Sequence, residues 1–524
     1  MRKAQLDIDY IGKLFTVALF LVLSVAGFGF SIYLFLVSNS LFLYAIAICF
    51  LFLSIISGFF NILASYWYYK SFGYEKYIEE LKSKLKPMGR LPTVSVVMPS
   101  HDEDLDMIKR NAKELTGIRY PKGKLNVFLL NDSADKDRKR ELERFCKSSG
   151  INFIYRKRNT DYKAGALNHF LERSRDEFVA VFDCDEHLED RNFLMDVLPY
   201  FQDEKIAYVQ TEKRYSKGTF FSDTVDIFDA FFFKFIETAR AMDNTAIFSG
   251  SCGVIRRSVI DEVGGFPKYA IEDTFFSLES DLKGYRGFYL PKVYAYGKPI
   301  YTFSQLVKQQ WRYNYGDTQF VSYFLRKKEF KKQQMLAKLN YMAHGFGLNY
   351  LSVVLILFTI VSTAIVFSTL PFAHIGIIPR FTSWSDITLS VARVSALEIA
   401  ELLGLFAFIL SMFAPAILTK IYFKSFKKGV MVFLLNYALA VVRAKAAIAA
   451  IFNLKDRLKW NSKSEEMGSA VSAMAKARTE LVFVAVLAVL GIVALMELKI
   501  SGGIWLMWYA GMYSLTPLFF YKYG

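Results

Sequence analysis

The sequence predicts a mixed α/β domain with a mainly parallel sheet, inserted between membrane-spanning segments of the same chain. Residues 93–304 alternate short strand-like runs with helical stretches, an order that favours a parallel sheet. The sequence on both sides of this region contains apolar runs longer than the roughly 18 residues that indicate a membrane span. We expect two spans before the domain, four after it, and the domain itself on the cytosolic side.

The composition is that of a membrane protein and gives little support for a nucleic-acid partner. Of 524 residues, 53% are hydrophobic, and the formal net charge is +16. In membrane proteins such an excess usually lies on the cytoplasmic side, where it meets anionic lipid. The sequence contains no basic-aromatic module of the nucleic-acid-binding kind. Its four cysteines lack metal-ligand spacing and fit a reduced cytosolic domain.

The first 92 residues are expected to form a transmembrane hairpin, 1–70, and a basic linker, 71–92. The apolar runs 15–37 and 41–66 are joined by a short polar turn, and the aromatic belt 66–69 closes the second run. The first run lacks a small-residue cleavage site and is followed at once by the second, which indicates an anchor rather than a signal peptide. Both ends of the hairpin are therefore placed in the cytoplasm.

Four strand-like runs are predicted within the α/β domain, at 94–98, 125–130, 151–155 and 178–182. In a mainly parallel sheet, ligands bind at the carboxyl ends of the strands. Asp132 follows the second run, and Asp183 and Asp185 follow the fourth. The sequence therefore predicts a binding site at this edge of the sheet.

After the α/β domain we expect amphipathic interfacial helices, 305–345, and a C-terminal transmembrane region, 346–524. The four spans predicted there are 346–370, 395–418, 481–498 and 504–520. The apolar segment 430–452 contains Arg443 and Lys445, and we interpret it as a helix lying on the cytoplasmic face. A span is the alternative, but it would place one of the flanking basic loops outside.

Asp183 and Asp185 stand one residue apart where a strand ends. Because side chains alternate along an extended chain, both carboxylates can point the same way as the chain leaves the sheet. They suit Mg²⁺ or Mn²⁺, which bind through one or two carboxylates plus phosphate oxygens. The alternative for an isolated pair of this kind is a turn with a capping Asp. His187 follows two residues later and is a further candidate neighbour of the metal.

Two more residues suit a phosphate-bearing ligand. Asp132 can accept a hydrogen bond from a nucleobase or ribose, and the alternative is an Asx-turn residue. Lys163 opens a helix of small residues after a basic loop, an arrangement that can receive a phosphate. The alternative for this segment is plain packing of the helix on the sheet.

Acids and helix-face residues further along the chain suit catalysis. A base needs a carboxylate near the metal site but not on it, and Glu272 and Asp273 are candidates; an acid pair at a helix N-terminus is the alternative. Gln309, Arg312 and Tyr313 fall at i, i+3 and i+4 and share a helix face. That face offers an amide, a guanidinium for phosphate and a ring for stacking. The alternative is an amphipathic interfacial helix with a snorkelling Arg.

Taken together, these segments resemble the D, D-x-D, (T)ED, Q-x-x-R-W pattern of the membrane-embedded, inverting glycosyltransferases of family two. Relatives of that kind include cellulose, hyaluronan, chitin and β-mannan synthases. The matching segments are Asp132, Lys163–Asn168, Asp183–Asp185, Phe248–Ser251, Glu272–Asp273 and Gln309–Tyr313. The resemblance covers about residues 93–320 by motif and the C-terminal region by layout, and six ordered motifs are far more specific than one.

The resemblance implies a cytosolic GT-A domain, with a Rossmann-like mixed sheet, that binds a nucleotide sugar such as UDP-glucose. The residues implied for the donor are Ser100, Glu103, Asp132, Lys163, Asp183 and Gln309. The residues implied for Mg²⁺ or Mn²⁺ are Asp185 and Asp183, with His187 as a further candidate.

Catalysis is implied at Asp273, as the base on the acceptor hydroxyl, with Glu272 beside it and Arg312 steadying the departing diphosphate. The residues implied for the acceptor are Tyr313, Ser251 and Trp311. One base and no nucleophile fit a single in-line displacement with inversion, which turns an α-linked donor into a β-linkage. The metal and Arg312 would stabilise charge on the leaving group.

The chain departs from the family pattern mainly on the acceptor side. Tyr313 replaces the family's Trp, and Trp311 lies about 200° around the helix from it. Ile271 replaces the Thr of the T-E-D motif, and the Glu that relatives often carry shortly before the position of Pro299 is missing.

Two features of the C-terminal region bear on export. The loop 454–479 occupies the place of the family's gating loop, and Trp460–Lys463 matches its motif loosely. Glu398 and Glu401 lie within a predicted span, where acids are costly in lipid. They either line an exit path or sit near the outer interface.

Three functions are compatible with these patterns. The first is a processive synthase in the plasma membrane that extends a β-glycan and translocates it, with an accessory export subunit as a possible partner. The second is a non-processive enzyme that glycosylates a lipid, such as diacylglycerol or a polyprenyl phosphate. The third, an inactive channel or assembly subunit, is disfavoured because Asp183, Asp185, Asp273 and Arg312 are all retained.

Overall fold

The computed structural model describes residues 41–157, 159–367, 416–454, 470–497 and 499–524, with scattered residues between 14 and 36. Two predicted features lie wholly or mostly outside the described residues: the span 395–418 with Glu398 and Glu401, and residues 455–469 of the gating-like loop, including Trp460. The apolar run 15–37 is described only in part.

An eight-stranded mixed sheet forms the centre of the α/β domain. Its strands are β1 Val94–Ser100, β2 Leu125–Asn131, β3 Asn152–Tyr155, β4 Phe178–Val181, β5 Glu186–Leu188, β6 Ile206–Tyr215, β7 Gly253–Arg256 and β8 Arg286–Gly297. Their order is β3-β2-β1-β4-β7-β6-β8-β5. The pairs β1–β2, β2–β3, β1–β4 and β6–β8 are parallel, whereas β4–β7, β6–β7 and β5–β8 are antiparallel. The predicted mixed, mainly parallel sheet is confirmed.

Alternating apolar side chains place the core on both faces of this sheet. Val96 and Ala180 belong to the core on one face, and Val97, Val179 and Val181 to the core on the other. This is the pattern expected when a strand is buried on both sides, and it explains the almost continuously apolar runs at β1 and β4.

Seventeen helices within the described residues surround and follow the sheet. They are α1 Leu41–Ser71, α2 Tyr74–Lys84, α3 Leu105–Leu115, α4 Lys136–Ser149, α5 Tyr162–Leu171, α6 Phe193–Val197, α7 Phe220–Phe231, α8 Thr238–Met242, α9 Arg257–Val263, α10 Glu272–Leu282, α11 Phe303–Arg326, α12 Met335–Val366, α13 Phe426–Ile451, α14 Ala470–Lys476, α15 Arg478–Met496, α16 Ile500–Tyr513 and α17 Leu515–Tyr523. A π-helical turn, Phe232–Glu237, joins α7 to α8.

The start of α11 is fixed by a capping box. The Thr302 hydroxyl accepts a hydrogen bond from the Gln305 backbone N–H, and the Gln305 side chain accepts one from the Thr302 N–H. Two N–H groups that would otherwise lack partners are satisfied in this way. The helix with the Q-x-x-R-Y segment therefore begins at a defined point, shortly after β8 ends.

Polar contacts attach α1 to the α/β domain. The Lys70 ammonium lies 2.6 Å from an Asp243 carboxylate oxygen, and the Tyr66 hydroxyl donates to the same oxygen at 2.8 Å. The Trp67 indole N–H donates to the Asn340 side-chain oxygen of α12 at 2.9 Å. The aromatic belt predicted at 66–69 thus contacts protein as well as closing the apolar run.

Three helices among the described residues are long and apolar enough to cross a membrane. They comprise residues Ala47–Ser71 of α1, all of α13 and all of α15. In α13, 72% of the most apolar window is buried inside the protein, against 25% and 22% in the other two. Its length and composition suit a span, and the interfacial position that the sequence indicates for 430–452 stays a prediction.

The structure divides the C-terminal region differently from the sequence interpretation. The segment 504–520 contains the end of α16 and part of α17, with a break at Ser514. Pro517 has no backbone N–H for the Tyr513 carbonyl, which explains why one helix does not continue. Helix α12 runs unbroken through the boundary expected at 345, and α14 occupies part of the expected loop 454–479.

Candidate active site

A cavity of about 1160 Å³ opens at the carboxyl edge of the sheet and continues between helices α1, α7, α11 and α13. Ten residues named from the sequence line it: Glu103, Lys163, Asp183, Asp185, Glu272, Asp273, Gln309, Trp311, Arg312 and Tyr313. Segments up to 210 residues apart in the chain therefore meet in one space, as the carboxyl-edge rule predicts.

Four other candidates occupy different surroundings. Ser100 and Asp132 are each only 6% exposed, and the Ser100 hydroxyl donates to the Leu130 carbonyl at 2.8 Å. Ser251 is fully buried. His187 and Asp185 line a neighbouring cavity of about 310 Å³.

Asp132 is held by two basic side chains. Arg156 donates to one carboxylate oxygen at 2.5 Å, and the His101 Nδ1 atom lies 3.3 Å from the other. The hydrogen bond to Asp132 raises the pKa of His101. The Asx-turn contact considered for Asp132 is instead made by Asn131, whose side-chain oxygen accepts from the Ser133 N–H at 3.3 Å. A role of Asp132 in donor binding stays a prediction.

Lysines face both carboxylate oxygens of Asp183. The Lys163 ammonium lies 2.6 Å from Oδ1, and the Lys213 ammonium lies 3.7 Å from Oδ2. Lys163 also donates to the Gly250 carbonyl at 2.8 Å. Burial alone would raise the pKa of Asp183, but the two ammonium groups outweigh it and lower that pKa. Lys163 thus reaches the site from the first turn of α5.

Sequence reasoning missed Lys213 and Glu186. Glu186 is 4% exposed; its carboxylate accepts from the Asp183 N–H at 2.8 Å and from the Ser251 hydroxyl at 2.6 Å. Burial raises the pKa of Glu186, and Lys213 opposes that shift. Glu186 directly follows the D-x-D segment, and this position in the sequence is the feature that would have indicated it as a site residue. Lys213 lies on β6, a strand that the sequence did not predict.

The acid pair opens α10 next to a glycine that leaves room for it. Gly250 has φ +85°, and a Cβ there would lie 2.7 Å from Asp273 Oδ2. Asp273 Oδ1 accepts from the Thr274 N–H at 2.8 Å. Burial and the neighbouring Asp273 raise the pKa of Glu272 to about 7, and burial raises the pKa of Asp273. The pair is therefore set to hold a proton more readily than exposed carboxylates.

Helix α11 packs directly against the acid pair. A Cβ at Gly316 would lie 2.8 Å from the Ile271 side chain, so the helix approaches the start of α10 as closely as a glycine allows. Ile271, which replaces the Thr of the family's T-E-D motif, therefore packs against α11.

The predicted common face of α11 looks into the cavity. The Gln309 amide donates to the Tyr215 hydroxyl at 3.0 Å and to the Tyr313 hydroxyl at 3.3 Å. The Arg312 guanidinium lies 5.4 Å from the centre of the Tyr313 ring. Trp311 also reaches the cavity wall, but it packs towards α13, consistent with its different angle on the helix.

A buried arginine ties α11 to α13. Arg443 donates to the Gln310 side-chain oxygen from Nε at 3.0 Å and from Nη2 at 2.9 Å, and to the Asn436 oxygen from Nη1 at 3.1 Å. Its side chain is fully buried. Hydrogen bonds to Gln310 and Asn436 thus stabilise the Arg443 guanidinium within the apolar segment 430–452.

The residues at the D-x-D segment fit a metal that is completed by phosphate. Within the described ranges, no group of three or more His, Cys, Asp or Glu side chains could hold a metal ion alone. Mg²⁺ and Mn²⁺ do not need one, because they bind through one or two carboxylates plus phosphate oxygens. Asp185 presents a carboxylate to both cavities, whereas Asp183 faces lysines.

The mixed sheet with an acidic carboxyl edge defines the class of GT-A glycosyltransferase domains. The family model described as Glycosyl transferase family group 2 matches residues 178–520, and the chain belongs to that family. The family resemblance seen in the sequence is thereby confirmed.

Curated relatives include cellulose synthase catalytic subunits described as UDP-forming. The protein from Xanthomonas axonopodis pv. citri is 31% identical over 265 residues, which cover 49% of this chain and 36% of that protein. The protein from Pseudomonas fluorescens is 32% identical over 265 residues, covering 49% and 35%. The matched part is thus only about a third of the length of these relatives.

Two solved structures show similarity at low identity. The mannosyltransferase PcManGT from Pyrobaculum calidifontis, in complex with GDP-Man and Mn²⁺, is 16% identical with a TM-score of 0.48, covering 76% of this chain and 99% of that one. S. aureus TarS 1–349 in complex with UDP-GlcNAc is 14% identical with a TM-score of 0.35, covering 70% and 93%.

Proposed function

We propose that this protein is an inverting hexosyltransferase that transfers a sugar from UDP-glucose or another UDP-sugar to a growing β-glycan. In this proposal the enzyme also passes the polymer across the plasma membrane, with its catalytic domain in the cytoplasm. One continuous cavity carries the proposal, because it joins the D-x-D segment and the acid pair to α1 and α13, which are long enough to span.

The donor end of the cavity suits a nucleotide diphosphate. Lys163, Asp185 and Arg312 line it together, so cations and a metal-binding carboxylate are available where a diphosphate would lie. A divalent metal on Asp185, near Asp183, would supply positive charge to the leaving group. The Arg312 guanidinium adds a fixed planar donor set for phosphate oxygens.

Asp273 is the base of the proposed reaction. It is more exposed than Glu272, and its Oδ2 atom faces Gly250, a residue without a side chain. Asp273 accepts the proton of the acceptor hydroxyl while the hydroxyl oxygen bonds to the anomeric carbon. The bond from that carbon to the diphosphate breaks, and its electron pair leaves with the diphosphate. One displacement of this kind inverts the anomeric centre.

The acceptor end suits a sugar chain because both aromatic and polar side chains line it. Tyr313 and Trp311 offer faces for stacking, and Asn436 of α13 offers an amide further in. Lys163, Asp183, Asp273 and Arg312 all line this cavity, which supports an active enzyme over an inactive channel subunit.

A lipid acceptor is the second candidate, and one observation favours it. The wall of the cavity that the helices form is strongly apolar, with Phe231, Ile236, Leu418 and Val432. A diacylglycerol or polyprenyl chain would pack against such a wall. Only the head group of the lipid would then contact the carboxyl edge of the sheet.

Product sizing separates the two candidates. Purified full-length protein in lipid nanodiscs would be given radiolabelled UDP-sugars in turn, with Mg²⁺ or Mn²⁺. We expect a water-insoluble or high-mass β-glycan that a β-glycanase degrades. An organic-soluble monoglycosylated lipid as sole product would replace the first candidate by the second, and transfer from no UDP-sugar would refute both.

A further inference from the structure

We propose that Lys213 binds the diphosphate of the donor, as a second cation beside Lys163. This inference rests on the proposed function, because it names a further residue of the same donor site. The Lys213 side chain lines the cavity and is 27% exposed, whereas Lys163 is 9% exposed and closed in by neighbours.

Lys213 lies on strand β6, which hydrogen bonds to the segment next to the site. Two residues earlier on β6, Thr211 donates to the Cys252 carbonyl from its backbone at 3.1 Å and from its hydroxyl at 2.5 Å. The Lys213 ammonium then donates to the Ser249 carbonyl at 3.3 Å. It is therefore directed at the loop that includes Gly250, on the donor side of the acid pair.

The carboxylates near Lys213 do not depend on it for hydrogen bonds. Its distances to Asp183 and Glu186 are 3.7 and 3.5 Å, longer than direct hydrogen bonds. Glu186 already accepts from Ser251 and from the Asp183 backbone. An ammonium has three donors, and within the described part of the chain Lys213 uses one, on Ser249.

Lys163 differs on each of these points. It donates to Asp183 at 2.6 Å and to the Gly250 carbonyl at 2.8 Å, so its hydrogen-bonding capacity is largely committed. Of these two lysines, Lys213 keeps the greater remaining hydrogen-bonding capacity. When the anomeric bond breaks and the electron pair passes to the phosphate oxygen, the Lys213 ammonium donates to the diphosphate without giving up its proton.

The test compares binding of UDP and of uridine, since only UDP carries the diphosphate. Equilibrium dialysis of the full chain with radiolabelled UDP or uridine, with and without Mn²⁺, would give both affinities. We expect Lys213→Met to weaken UDP binding about tenfold or more and to leave uridine binding unchanged. Lys213→Arg should keep most of the UDP affinity, and Lys217→Met, an exposed lysine four residues later, should change neither.

A double variant separates binding from structure. Lys213→Met removes the ammonium that lies 3.5 Å from the buried Glu186 carboxylate, so the melting temperature should fall in this variant and recover when Glu186→Gln is added. We expect its UDP affinity to stay low relative to uridine. Equal UDP affinity in Lys213→Met and the native protein, or UDP affinity restored with stability in the double variant, would overturn the proposal. Failure of the native protein to bind UDP at all would instead refute the proposed donor.

Discussion

The Arg443 guanidinium donates two hydrogen bonds to the side-chain oxygen of Gln310, at 3.0 and 2.9 Å. This contact connects α13, a candidate span, to the helix that carries the Q-x-x-R-Y segment. Both partners are buried, so neither has water to replace the other.

Replacing Arg443 by Met should therefore destabilise the protein and lower its activity together. It leaves the buried Gln310 oxygen without its donor, which costs about 1–3 kcal/mol. It also removes a donor from the half-buried Asn436 oxygen. Thermal unfolding in detergent would show the loss, with Lys427→Met, an exposed lysine in the first turn of α13, as the control. Unchanged stability in Arg443→Met would mean that this contact does not hold α11 and α13 together.

Asp273→Asn should remove glycosyl transfer while sparing donor binding. An amide cannot take the hydroxyl proton, and loss of a general base typically costs about 100- to 10,000-fold in rate. Initial rates and UDP affinity would be measured on the same preparation, with the exposed Asp106→Asn as the control. Full activity in Asp273→Asn would show that another group, and not Asp273, is the base.

Gly250→Ala tests the room beside the base. The new methyl would lie 2.7 Å from Asp273 Oδ2, and φ +85° costs an L-residue about 1–2 kcal/mol. We expect a strong loss of activity and a modest loss of stability. Gly123→Ala is the matched control, because a Cβ there meets nothing within 4 Å. Retained native activity would show that the loop at Gly250 can shift without harm.

The raised pKa of Glu272 predicts a pH-dependent penalty on stability. Its pKa is about 7 in the folded protein and about 4.5 when unfolded, so the folded state binds the extra proton between these values. The folded state consequently loses stability as pH rises from about 4.5 to 7, and the penalty is complete above 7.

Glu272→Gln should remove this penalty. We expect the variant to gain melting temperature over the native protein at pH 8 and to gain less at pH 5. Glu204→Gln, at an exposed carboxyl, should show no such difference between the two pH values. A gain that is equal at both pH values would contradict the titration of Glu272.

Asp185 is expected to carry the metal dependence of donor binding. In the native protein Mn²⁺ should strengthen UDP binding, and EDTA should reverse the effect. Asp185→Asn should lose most of that strengthening while keeping the metal-free affinity, because Lys163 is untouched. If Mn²⁺ strengthens UDP binding equally in both proteins, Asp185 is not the ligand.

The part of the fold that the sequence predicts best is the part with continuous apolar runs. Strands β1 and β4 are buried on both faces along almost their whole length, so their apolar composition is enough to predict them. Strand β6 loses that character after Thr211, where Glu212, Lys213 and Arg214 follow, and β8 also mixes polarity. The sequence does not predict Lys213 as a site residue because it does not predict strand β6.

Motif order predicted which residues would meet, but local sequence did not show what each one contacts. Lys163, Asp183, Asp273 and Arg312 do line one cavity. The burial of Asp132 under Arg156 depends on a partner 24 residues away. Arg443 indicates an interfacial helix in the sequence, which stays a prediction, but its hydrogen-bond partner Gln310 lies 133 residues earlier and local sequence does not show it.

Helix α11 makes its two decisive contacts six residues apart, at Gln310 and at Gly316. At 1.5 Å per residue, these points are about 9 Å apart along a single rigid rod. Helix α11 is continuous between Gln310, which contacts α13, and Gly316, which packs against Ile271. In the proposed processive function, α11 would therefore couple a displacement of α13 to the start of α10, where the acid pair lies.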